Sequence, residues 1–219
     1  MTLAELRALF REEAGDTAEP FLWPNSILNL YANEAQTEAC RRGHLLRDSV
    51  TTAICQLAVT AGDPIVELDP RILDIQRMRL ASQFIQLRGI SVQEMDDSIP
   101  GWENQTGLPW RGVTDYQSNA IRLWPSPAAN DVLKLSVIRL PLVDMVADTD
   151  EPEIRKEYHP QLVQWMLHRA YAKQDSEVFD ANKSQTALAN FEKEFGSRSS
   201  ARNAAWRAER QLQFAPPIA

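Results

Sequence analysis

Three histidines, two cysteines and two clusters of carboxylates are the groups with which this 219-residue chain would have to do any chemistry. A zinc site needs ligands that converge, typically a second histidine at i+4 or a cysteine pair at short spacing. His44, His159 and His168 have neither, and Cys40 and Cys55 lack both metal-ligand spacing and a disulfide framework, so they read as reduced, buried thiols. No G-x-S-x-G, P-loop or G-x-G-x-x-G occurs, which leaves no nucleophile elbow and no phosphate cradle. Asp96-Asp97 and the run from Asp148 to Glu153 offer an acid/base pair or a cation site on one reading and solvated loops on the other. The expectation is no catalytic residue, no metal and no cofactor. Trp23, Trp102, Trp110 and Trp124 lie near prolines at element ends, where an indole plugs a corner of the core; a sugar-stacking platform is the alternative.

The elements that would hold these groups fall into three stretches. Thr2 and Glu5 form a T-x-x-E capping box before Leu3, Leu6, Leu9 and Phe10, and the helix ends at Ala14-Gly15. A second helix opens at Pro24 or Ser26, turns Ile27, Leu30, Tyr31 and Ala35 inward and Asn33, Glu34, Gln36 and Glu38 outward, and ends near Arg41-Arg42-Gly43. From Val50 the pattern becomes short apolar runs between turn residues, ICQLAV, IVELDP, ILDIQRMRL and FIQLRGI, followed by a short helix capped by Ser91, a hairpin turning at Gln117 to Asn119, and the strand VLKLSVIRLP. These predict a small antiparallel sheet. Pro160 then opens the most periodic helix of the chain, with Val163, Met166, Leu167, Ala170 and Tyr171 on one face widened by Leu162 and Trp165. A partner helix from Asp180 to Gly196 presents Leu188, Phe191 and Phe195.

The predicted class is α+β: a helical bundle from 1–48 and 153–196, an inserted β-rich region at 49–143, an acidic connector at 144–152 and an extended tail at 197–219. Its predicted core comprises Leu6, Phe10, Ile27, Tyr31, Val163, Met166, Leu167, Tyr171, Leu188 and Phe191. The tail is basic, with Arg198, Arg202, Arg207 and Arg210 against Glu209, on a chain of net charge −7 and pI near 5.1. It reads either as a docking segment or as a surface helix. The acidic balance argues against tight binding to phosphate backbones, and no apolar run is long enough to span a membrane.

The order of elements resembles that of head-to-tail adaptor proteins of tailed bacteriophages, and more distantly tail tubular protein A of short-tailed phages. The residues that carry the likeness are Trp23 to Gln36 (WPNSILNLYANEAQ), GLPW, IRLWPSP, and PEIRKEYHPQLVQWMLHRAYAKQD followed by a second helix and FGSR. The resemblance implies a homo-oligomeric ring, commonly dodecameric, beneath the portal at the head-tail junction of a virion, made in the host cytoplasm. It implies a tail protein, nozzle or tube, at the β-rich end and a genome passing through without specific binding. It also implies a C-terminal segment that reaches the portal, for which Arg198, Arg202, Trp206, Arg207, Arg210 and Phe214 are the candidates. A tail-associated cell-wall lytic enzyme, a tail-completion protein away from the portal and a small DNA-binding regulator are the competing readings.

Overall fold

A computed structural model of the chain describes residues 1–174 and 178–198. It divides into two compact units, 1–46 with 140–198, and 47–139. The chain holds six α-helices among the described residues together with antiparallel and mixed strands, so the class is α+β.

The first unit is helical. In α1 (Leu3–Ala14) the Thr2 hydroxyl accepts from the Glu5 N–H and the Glu5 carboxylate returns a bond to the Thr2 N–H; Gly15, at φ 74°, closes the other end in the left-handed conformation. α2 (Asn25–Gly43) ends on His44, also left-handed. α5 (His159–Ala172), with a proline in its first turn, packs against α1, α2 and α6 (Ala181–Phe195), and Asp180 caps α6 through the Lys183 N–H. Phe10, Trp23 and Tyr171 form one edge-on aromatic series, and Trp165, Phe191 and Phe195 pack as a second, tilted one. Leu6, Phe10, Tyr31, Val163, Met166, Leu167, Tyr171 and Phe191 are buried and Leu188 is half-buried.

Ile27 departs from the expectation: it is 37% exposed, and Leu30 52%. The inward face of α2 is Leu28, Tyr31, Ala32, Ala35 and Ala39, with Gln36 and Glu38 buried beside it. The helix is rotated from the predicted face because its polar residues have internal partners, which periodicity alone does not reveal. Asn33 is only half-buried, but it too has such a partner.

The second unit corrects the single antiparallel sheet. One four-stranded sheet is built on β10 (Asp131–Arg139), which bonds to β1 (Leu46–Asp48), β2 (Gln56–Val59) and β4 (Ile72–Leu80). A second runs β3 (Ile65–Glu67), β8 (Ala120–Trp124), β7 (Arg111–Val113), β5 (Arg88–Ile90), and β6 (Thr106–Gly107) pairs with β9 (Ser126–Pro127). β5–β7 and β6–β9 are parallel. Parallel neighbours need a crossover, and the chain between β5 and β7 contains α4 (Val92–Ser98), whose Met95 packs with Ile90, Trp102, Val113 and Trp124 in a core of their own.

Two strand boundaries also differ. Ile54 and Cys55 lie in a helical turn, α3 (Thr52–Cys55), rather than in a strand. Phe84 and Ile85 lie in the turn before β5. β10 alternates imperfectly because its register against β4 shifts at Ser136/Val137 and again at Ile138/Arg139. The predicted hairpin is present, with Arg111 opposite Trp124 and Val113 opposite Arg122.

Candidate interaction surfaces

Two of the three histidines and several of the carboxylates are tied into the scaffold. His159 has no exposed surface; its Nδ1 lies 2.8 Å from the Met1 amino group and its Nε2 2.9 Å from the Ile154 carbonyl. His168 places Nδ1 3.1 Å from the Ser184 carbonyl, and the Ser184 hydroxyl donates to the His168 carbonyl. Among the carboxylates, Asp96 accepts from the Trp102 indole, Asp148 from Arg7, and Glu153 from the Leu142 and Val143 N–H groups. Asp150 accepts from the Val146 and Ala147 N–H groups, which holds its carboxyl below the usual range. Among the described residues no cluster of histidine, cysteine or carboxylate could hold a metal ion.

A polar cluster in the second unit has the strongest electrostatics. Burial raises the Asp48 carboxyl, but bonds from the Thr51 N–H and hydroxyl, the Val50 N–H and Arg139 outweigh it and leave the group well below the carboxylate range. Burial first, and then the Asp48 charge, push the Cys55 thiol up to about 11.

The N-E-A-Q run of α2 is a fastener. The Asn33 amide bonds both the N–H and the carbonyl of Met145, at 2.8 and 3.0 Å. Gln36 accepts from the Glu153 N–H at 2.6 Å, Ala35 is fully buried, and Glu34 pairs with Arg169 on α5. The acidic connector is thereby bound along α2, and its Asp148 and Asp150 carbonyls accept from Ala4 and Leu3 at the open N-terminus of α1. These residues look solvent-facing in the sequence because their partners lie more than a hundred positions away.

Two of the open surfaces in the described residues bear on partner binding. On the first unit, Leu30, Glu34, Thr37, Glu38, Arg41, Asp144, Trp165 and Arg169 line much of a groove of about 430 Å³. Its Trp165 indole N–H is buried without an acceptor. On the second unit, Phe84 is 96% and Ile85 76% exposed, and the Gln83 amide donates to the Pro109 carbonyl, beside exposed Leu108 and Trp110. Trp23, Trp102 and Trp124 are buried; Trp110 is the exception, its ring against Trp124 and under the Arg111 guanidinium. Of the candidate tail residues, Arg198 is exposed, and Arg202, Trp206, Arg207, Arg210 and Phe214 lie outside the described residues.

Among the described residues the arrangement offers open surfaces that a partner could cover. Among the described residues no helix is long and apolar enough to cross a membrane. No curated protein matches the chain. The family model described as SU10 adaptor protein matches residues 1–214, a span that takes in both units, and the chain therefore belongs to the SU10 adaptor protein family, structural adaptors of bacteriophages.

Proposed function

We propose that the protein is a head-to-tail adaptor of the virion, assembling as a closed homo-oligomeric ring, commonly dodecameric in the proteins it resembles, between portal and tail. The match of the adaptor family over residues 1–214 supports this reading most directly. A ring of identical subunits requires two complementary flanks on each copy, so that a heterologous contact closes on itself. With a net charge of −7 the subunit is suited to surround the genome during ejection without gripping it.

In this reading the C-terminal residues engage the portal, Arg198, Arg202, Arg207 and Arg210 against acidic surface and Trp206 and Phe214 as apolar anchors, since arginine and aromatic side chains dominate interface energetics. The β-rich unit meets the tail protein through the exposed Phe84 and Ile85 turn. Deleting residues 197–219 tests the first contact: the truncated chain should melt cooperatively and fail to attach to portal rings. Attachment at full strength would refute the assignment of the tail.

A further inference from the structure

We infer that the groove between α2 and α5 is the seat of residues 199–219 of the same chain. Four observations converge on it. The first is where the described chain leaves the helical unit. α6 ends at Phe195, and the Gly196 carbonyl faces Arg42 Nη1 at 3.5 Å. Arg42 in turn donates to Glu38 and lies 5.1 Å over the Trp165 ring. Glu38 and Trp165 are both groove residues, so the segment starts beside the groove.

The second is an unmet hydrogen bond. Trp165 lines the groove and is 9% exposed, and its indole N–H is buried without an acceptor. A buried donor left unpaired is destabilising. A seated chain that repacks this wall would bring a carbonyl to it. The third is charge. Residues 199–219 carry three arginines and one glutamate on a chain of net charge −7. The groove holds Glu34, Glu38 and Asp144 against Arg41 and Arg169, and Asp144 has no cationic partner among the described residues.

The fourth is reach and room. An extended chain advances about 3.3 Å per residue, so the stretch from Arg198 to Trp206 spans roughly 25 Å, ample for a groove on the same unit. A volume of about 430 Å³ accommodates an indole with its flanking residues. Tethering raises the effective concentration of such a segment to the millimolar range, so even weak contacts keep it seated. The seat stands on these contacts alone. Its regulatory meaning, that a partner must lift the segment out before binding it, rests on the adaptor reading.

Disulfide trapping in the full chain, without portal, is the test. One variant carries Leu30→Cys, on the groove rim, with Ala205→Cys; a control carries Ser118→Cys, exposed on the other unit, with Ala205→Cys. Cys40 and Cys55 are buried and stay in both. Under mild oxidation at low protein concentration the first pair should bridge within one chain at least tenfold faster than the control, and adding Trp206→Ala should slow it. Equal rates would overturn the inference, as would covalent dimers, which would give the groove to a second copy. Because no portal is present, a negative result leaves the adaptor reading intact.

Discussion

His159 joins the start of α5 to the two segments before it, with one ring nitrogen on the Met1 amino group and the other on the Ile154 carbonyl. Replacing it by leucine keeps the volume and strands a buried carbonyl, so His159→Leu should destabilise the fold by about 1–3 kcal/mol in denaturant unfolding. Cys55 makes a different demand. With its thiol pushed up to about 11 by burial and by Asp48, almost none is thiolate at pH 8, and a maleimide should label it only after unfolding. Labelling of the native protein within minutes would contradict that environment. The capping residues Thr2, Ser91 and Asp180 were readable in the sequence because their partners lie three residues away. Asn33 and Gln36 were not, since the same residue types serve equally on a wet face, and only the fold brings Met145 and Glu153 to them.

α5 and α6 are held together partly by His168. Burial first, and then the Arg169 and Arg42 charges, hold its imidazole below the ordinary histidine value, against the Ser184 carbonyl and Glu192. The sign follows. Above the ordinary value both folded and unfolded rings are neutral and the contribution is complete; as pH falls through it, the unfolded chain takes up the proton first and stability drops. The melting temperature should therefore decline as pH falls from 7 toward 5, and His168→Gln should flatten that decline. The fastener on α2 gives a second prediction: Asn33→Ala should cost about 1–2 kcal/mol and speed amide exchange at Met145 while α6 stays protected. Periodicity exposed the α5 stripe because its apolar residues are large. The α2 face was misjudged at Ile27 because half of its true face is alanine, which carries little hydrophobic signal, while Ile27 and Leu30 stand exposed. The β region was harder for a related reason: exposed Phe84 and Ile85 have strand-like composition, and parallel pairing depends on a crossover that no local pattern records.

At the scale of the whole molecule, the proposed adaptor reading gives the exposed Phe84 and Ile85 a contact with another protein. Phe84→Ser with Ile85→Ser should leave stability within about 0.5 kcal/mol of the parent, because neither side chain is buried, and should abolish attachment to the tail protein while portal binding persists. Native mass spectrometry, on the protein alone and after mixing with the portal ring of the same genome, tests the proposed ring-forming adaptor. A stoichiometric ring of subunits loaded on the portal is the expected result. Absence of any portal complex, at low and high salt alike, would contradict it.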